Sequence, residues 1–353
     1  IANELCFRYE YDQRNRMIIK KIPGAAEEWM VYDARDRLVM SQDSNLRVQN
    51  KWLILKYDSL NRQDTTGLLT NSNNRIYHQN LAFSSISYPL TSANFELLTS
   101  TFYDDYTWIA RTGATVGSTM ATNYTSNSSD FNTNYNASPT YAVALTPFYI
   151  TLGMATGSMK KVIGTANQYL YNVNFYDDRG RVLQTQSVNY TGGIDTSITQ
   201  YSFDGKPLNN LLAQKKNGNN AQAHKILTGM AYDAAGRLLA IYKNIDNAPA
   251  TQLIATNTYN ELGQLQNKEL GNNLENLAYA YNIRGWLSSI NKGYLSNGSG
   301  SSYFGMELGY DKTTAAVSST SYITPEYNGN IEGTIWRSKG DGVARKYDFT
   351  YDN

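Results

Sequence analysis

One cysteine, Cys6, stands in 353 residues, with two histidines and seven prolines. A single thiol excludes an internal disulfide and any multi-cysteine zinc site, and Cys6 is expected to be a buried free thiol. His78 and His224 alone cannot build a histidine cluster or a His-Glu-x-x-His metal site, so each is expected on a surface strand or loop. No run of about 18 to 20 apolar residues is present, which excludes a bilayer-spanning helix. Neither charge dominates: 31 Lys and Arg against 30 Asp and Glu leave a net charge of +1, with no electrostatic footprint for nucleic acid or an anionic membrane. Helix-period apolar runs are almost absent. The chain has no Gly-x-Ser-x-Gly nucleophile elbow, no glycine-rich phosphate loop and no dinucleotide fingerprint. These residues thus offer no enzyme, no cofactor site and no metal site.

What is plentiful is tyrosine (29) and glycine (26), with many asparagines, a composition suited to many short strands joined by turns. Seven times the chain repeats one pattern: an aromatic, an acid or amide, two free residues, a turn former, then usually Arg and an aliphatic. Tyr232-Asp233-Ala234-Ala235-Gly236-Arg237-Leu238 is the clearest copy, and the others begin at Tyr11, Tyr32, Tyr57, Tyr176, Tyr259 and Tyr281. The fifth position is Asn15, Asp36, Asn61, Gly180, Gly236, Gly263 or Gly285. Those residue types accept a left-handed backbone most readily. A three-residue hairpin loop, a type I turn followed by one left-handed residue, requires that chemistry there.

The acid or amide ahead of the loop (Asp12, Asp33, Asp58, Asp177, Asp233, Asn260, Asn282) is placed to accept bonds from the turn amides. Asp233 then lies opposite Arg237 on one face and Tyr232 opposite Leu238 on the other, and Arg181 follows Gly180 in the same position. By the same register Tyr11 faces Met17, Tyr32 Leu38, Tyr176 Val182, Tyr259 Leu265 and Tyr281 Leu287, whereas Tyr57 meets Gln63. Each aromatic-aliphatic pair contributes roughly 0.2 to 1 kcal/mol. The tyrosines are read as a ladder that builds sheet.

Repeats spaced this closely argue for one extended array rather than separate globular domains. Three stretches are expected: 1–103 as a first, regular part of the array, 104–171 as an irregular Ser/Thr/Asn-rich insertion with a few strands, and 172–353 as the second part. Within the insertion, residues 122–138 read as an exposed or mobile excursion, or as a recognition loop. Ala142-Val143-Ala144-Leu145 and Phe148-Tyr149-Ile150 are strand candidates. Tyr201-Ser202-Phe203-Asp204-Gly205-Lys206 reads as a shortened copy, and Asn328-Gly329 as a strong hairpin turn. At the far end Tyr351-Asp352 should open another hairpin, so the array is expected to continue past Asn353, and the opening residues begin inside a repeat.

Other candidates are weaker. The acid pairs Asp104-Asp105 and Asp177-Asp178 are expected at hairpin tips rather than in glycoside chemistry. Trp29, Trp52, Trp108, Trp286 and Trp336 are expected to be buried between sheet layers rather than stacked on sugars. Asn123-Tyr124-Thr125, Asn127-Ser128-Ser129, Asn189-Tyr190-Thr191 and Asn297-Gly298-Ser299 fit the glycosylation pattern, which an Asn-rich chain produces by chance.

The repeat resembles the YD-repeat, or rearrangement-hotspot (Rhs), family, whose hallmark is Tyr-Asp, two or three residues, Gly-Arg and an aliphatic. Val31-Tyr32-Asp33-Ala34-Arg35-Asp36-Arg37-Leu38-Val39, Thr156-Gly157-Ser158 leading to Tyr176-Asp177-Asp178-Arg179-Gly180-Arg181-Val182, and Tyr327-Asn328-Gly329-Asn330-Ile331 with Trp336 look like the version found in Bacteroidota. The resemblance implies an all-β fold of antiparallel hairpins in a spiralling sheet that forms part of a hollow shell. It implies a non-catalytic segment of a secreted or cell-surface protein that encapsulates or presents a carboxy-terminal polypeptide, a toxin used in interbacterial antagonism. The partners would be the rest of the same polypeptide and secretion machinery. The alternative is a surface adhesin or glycan- or protein-binding module that uses the repeats as a scaffold.

Overall fold

A computed structural model describes residues 2–91, 94–125, 129–318 and 320–352. Among the described residues there are 21 strands and five short helices, and the strands pair antiparallel. The fold is all-β, as the repeat requires. Residues 126–128, which include part of the 122–138 stretch and the first two residues of Asn127-Ser128-Ser129, lie outside the described residues, as does Asn353.

Contacts divide the chain into two compact units. The first comprises Ile1–Asn127, Leu145–Ile198 and Ala213–Ala223. Its strands run as a meander, Arg8–Tyr11, Met17–Lys21, Glu28–Tyr32, Leu38–Gln42, Lys51–Tyr57, Gln63–Thr70, Phe95–Asp104, Thr151–Lys161, Tyr169–Tyr176 and Val182–Val188, each pairing with the next. The predicted register holds in each repeat: Tyr11 pairs with Met17, Tyr32 with Leu38, Tyr57 with Gln63 and Tyr176 with Val182. The second unit comprises Ser128–Ala144, Thr199–Leu212 and His224–Asn353. Here Tyr232 pairs with Leu238, Tyr259 with Leu265 and Tyr281 with Leu287. A register shift beside the aromatic residue marks each tip, because the left-handed fifth residue adds one unpaired position.

The first part of the array is less regular than its sequence suggests. Helices Ser44–Val48 and Arg75–Ala82 interrupt it, the second capped by Asn74, whose side chain accepts from the Tyr77 amide. Arg75–Ala82 covers a core of Val31, Val39, Met40, Trp52, Ile54 and Leu69. His78, expected at the surface, is fully buried there, its Nδ1 2.7 Å from the Tyr88 hydroxyl and its ring edge-on to Trp52 at 4.8 Å. Eight residues were too few to show a helical period, so the buried face was missed. His224 is exposed on the strand Gln222–Tyr232, as expected. Cys6, expected buried, is exposed.

The Ser/Thr/Asn-rich stretch is strapped down at several points, although most of the described residues of 122–138 are exposed, as expected. In the first unit, buried Gln184 accepts from the Ala121 amide and donates to the Ala121 carbonyl, at 2.8 and 2.9 Å. Buried Gln186 takes the Gly117 amide at 2.8 Å. In the second unit, Gln200 does the same for Asn132, at 2.8 Å in both directions. A primary carboxamide offers one acceptor and two donors, so it pairs with a passing backbone as a strand would. Val116, Met120 and Phe131 are buried along the stretch. Ala142 and Phe148 form isolated bridges only, Ala142 to Tyr135 and Ser202 and Phe148 to Tyr176, so the two strand candidates there are not strands.

Tryptophan burial is divided. Trp52 and Trp108 are fully buried, whereas Trp29, Trp286 and Trp336 are partly exposed. Trp108 stacks on Phe102 at 4.3 Å and lies flat on Gly157, where a β-carbon would come within 2.1 Å of the indole. Asn328-Gly329 forms a turn, but no strands flank it. Phe304–Gly309 pairs directly with Gly333–Ser338, and no described residue of 310–332 belongs to a strand. Tyr322 from that loop packs with Leu295 and Ile335.

Candidate functional site

The tips of the hairpins carry the chemistry of this chain. At each YD tip the carboxylate is saturated locally. Asp33 accepts from the amides of Arg35 and Arg37 through one oxygen and from the Arg37 guanidinium through the other, at 2.9, 3.0 and 2.8 Å. Asp12 with Arg16, Asp58 with Arg62, Asp177 with Arg181 and Asp233 with Arg237 repeat the arrangement. Asn260 and Asn282 keep the amide bonds without the ion pair. The fifth residue is left-handed in every copy, with φ from 59° at Asn15 to 81° at Gly236.

The tips are then linked to one another. The motif tyrosine of one hairpin donates its hydroxyl to a backbone carbonyl of the hairpin before it: Tyr32 to Met17, Tyr57 to Leu38, Tyr232 to Pro207, Tyr259 to Leu238 and Tyr281 to Leu265, at 2.8 to 3.0 Å. The accepting residue is the one that follows the motif cation or its replacement. Tyr103, Tyr310 and Tyr351 make the same bond, to Gln63, Leu287 and Ile331. The cation of the earlier hairpin also covers the ring of the later one: Arg16 over Tyr32, Arg37 over Tyr57, Arg62 over Tyr103 and Arg237 over Tyr259, at 4.2 to 5.0 Å. Such contacts are worth about 0.5 to 1 kcal/mol at exposed sites.

The fifth residue has a second use that its backbone conformation does not explain. Asp36 accepts from Arg14 and Arg16, Asn61 from Arg35 and Arg37, and Asp104 from Arg62, all from the preceding tip. At two of the glycines the preceding cation takes the space itself: a β-carbon on Gly236 would sit 2.5 Å from Lys206 Cε, and one on Gly263 3.4 Å from an Arg237 nitrogen, whereas Gly180 meets Met154 and Gly285 meets Gln264. Asp104, left-handed at the end of its strand rather than in a three-residue loop, is held down to a pKa of about 2 by its hydrogen bonds with Arg62 and with the Gly153 amide.

One tip is a fuller copy than its sequence suggests, and another escaped the sequence pattern. Ser202 replaces the acid and Lys206 the arginine in a full-length copy: the Ser202 amide donates to the Lys206 carbonyl, the Lys206 amide donates to Ser202 Oγ, and Gly205 is left-handed. The tip from Val188 to Ile194 uses Asn189, whose side-chain oxygen accepts from the Thr191 and Gly193 amides. Its aromatic is replaced by Val188, which hid the copy. The Asn189 amide nitrogen also donates to Asp195 and to the Lys215 carbonyl, so this glycosylation-like sequence is engaged in the fold.

Two cavities open beside tips. One, of about 440 Å³, lies beside Arg62, where Asp58 and Asp104 already neutralise the guanidinium. The other, of about 750 Å³, lies in the second unit between Tyr141, Phe203, Leu208, Met230 and Tyr232, with Asp204 and Lys206 paired at its edge. Away from the tips, buried Glu307 accepts from the Tyr322 hydroxyl and pairs with Lys312, and nearby Glu332 is pushed upward in pKa by burial. Among the described residues no group of three His, Cys, Asp or Glu could hold a metal ion, and no helix is long and apolar enough to cross a membrane.

No protein-family model matches the chain, and no curated protein matches it. Solved structures similar to it include a crystal structure of TcdB2-TccC3, at 14% identity and a TM-score of 0.44, covering 97% of this chain and 17% of that one. A structure of a Photorhabdus luminescens Tc holotoxin pore is similar at 12% identity and a TM-score of 0.32, covering 97% of this chain and 16% of that one.

Proposed function

We propose that residues 1–353 are a non-catalytic wall segment of a secreted or cell-surface shell of the YD-repeat type, which encloses or presents another polypeptide of the same chain, a toxin used in interbacterial antagonism. One observation carries this reading: each motif tip is bonded within itself, and most are bonded to the tip before them by the tyrosine hydroxyl, several of these also through the cation and the fifth residue. Such a lattice specifies how one hairpin sits on the next, which is what a wall of indefinite length requires. The acids and cations of the tips are used on one another, and this supports a structural role for them over a chemical one. The adhesin reading rests on 122–138 as a recognition loop or on exposed aromatics, and the glutamine straps on either side of residues 126–128 weigh against a free loop.

Enclosure is tested on the native full-length protein by limited proteolysis. A shell that protects a nonrepetitive fragment from protease, and releases it to digestion only on denaturation, supports the reading. Equal digestion of every part outside the repeats at the native state overturns it.

A further inference from the structure

In the second unit two glycines face each other across a strand pair, Gly309 at the end of Phe304–Gly309 and Gly333 at the start of Gly333–Ser338. Neither is left-handed, so no turn requires them. Other groups fill the space: a β-carbon on Gly309 would lie 2.6 Å from Glu332 Oε1 and 2.8 Å from the Tyr322 ring, and one on Gly333 would lie 2.8 Å from the same ring. The slot they leave holds a carboxyl and a phenol side by side.

Residues 310–318 lie over this slot as a strap. The Tyr310 hydroxyl donates to the Leu287 carbonyl at 3.1 Å, and Ala315, Ala316 and Val317 pack on Leu295, Tyr322 and Ile335. Two buried acids hold the strap from below. Glu307 Oε1 takes Lys312 Nζ at 2.9 Å, the Tyr322 hydroxyl at 3.1 Å and the Ala316 amide at 3.2 Å. Glu332 takes only the Lys312 amide, at 3.3 Å, and its Oε2 is buried with no hydrogen-bond partner among the described residues.

The ion pairs around Glu332 leave it out. Lys312 is paired with Glu307, and Lys346 is paired with Asp348 at 2.6 Å while donating to the Ser321 carbonyl. Glu307, Asp311, Glu332 and Asp348 thus share two cations. A carboxylate that is 1% exposed and unpaired is disfavoured against its neutral acid. Burial pushes the Glu332 carboxyl above its usual 4.5, Asp311 and Asp348 push the same way, and Lys312 opposes them.

We propose that Glu332 is a proton-operated catch: the neutral acid seats residues 310–318 on the slot, and loss of its proton releases them. The folded carboxyl holds its proton more tightly than a free one, so its contribution is complete below pH 4.5 and is lost as the pH rises through the raised value. Acid therefore fastens the strap. Buried His78, in the first unit, acts on stability in the opposite sense, so the effect has to be read locally rather than from global unfolding.

Amide hydrogen exchange of a peptide spanning 311–317, followed in the 353-residue chain and corrected for the intrinsic pH dependence of exchange, reports the opening. Protection is expected to rise several-fold from about pH 8 to about pH 5. Glu332→Gln has the size of the neutral acid and no titrating proton, and should be protected about equally at both. Asp348→Asn removes a neighbouring negative charge and frees Lys346, so release should move to lower pH. An unchanged pH dependence in Glu332→Gln, or protection in the parent that falls on acidification, overturns the catch. If Glu332→Gln proves unfolded by circular dichroism, an unmoved release in Asp348→Asn overturns it instead.

Discussion

The hydroxyl of Tyr57 donates to the carbonyl of Leu38 across 2.9 Å while the Arg37 guanidinium lies 4.8 Å above the Tyr57 ring. Two chemically different contacts thus join the same pair of hairpins, and both come from the motif. A hairpin that kept its own turn but lost these contacts would remain a hairpin, with its position on the sheet less well determined.

Tyr57→Phe keeps the ring and the cation above it and removes only the bond to Leu38. The expected cost is about 1 kcal/mol, read as a lower urea midpoint at an unchanged slope.

Arg37→Ala should cost more. Asp33 is fully buried and pairs with Arg37 at 2.6 Å, so the variant strands a buried carboxylate, with a loss of roughly 3 to 5 kcal/mol. Asp33→Asn with Arg37→Ala together should recover part of that loss; a strictly additive double variant would show that the pair is not coupled.

Stability should fall on mild acidification because of His78. Burial lowers its pKa from 6.5 to about 4, so the unfolded chain takes up a proton that the folded chain refuses. The contribution is complete above pH 6.5 and is lost as the pH falls from there towards about 4, amounting to roughly 3 kcal/mol in all. In His78→Phe the slope of stability against pH in that window should flatten. An unchanged slope would mean that another group causes it.

Gln184→Leu fits the same space but cannot pair with the backbone of Ala121. The strapped segment should then be nicked by protease near residues 114–125 at least several times faster, with the hairpins intact. Equal nicking would show that Val116 and Met120 hold the segment without the glutamine.

The hairpins were legible because a turn is a local object. Asp, two residues, a left-handed residue and Arg lie within a few positions of one another, and the register of Tyr32 on Leu38 follows by counting. The Val188–Ile194 tip went unread for want of an aromatic, although Asn189 supplies the same turn bonds. His78 and the glutamines were harder. Nothing beside Gln184 in the chain announces a partner 63 residues away, and a run of Ser, Thr and Asn reads as solvated until something buried is found to hold it.

The sequence by itself determined the all-β class, the turn geometry and the cross-strand pairs, since each depends on residues close together in the chain. Only the tertiary structure decided that Tyr57 reaches Leu38, that Asp36 and Asn61 serve the tip before them, and that a polar stretch is fastened down by Gln184 and Gln200. Those contacts join hairpins, or a hairpin and its cover. Their partners are chosen by the stacking of repeats in space, which spacing along the chain does not encode.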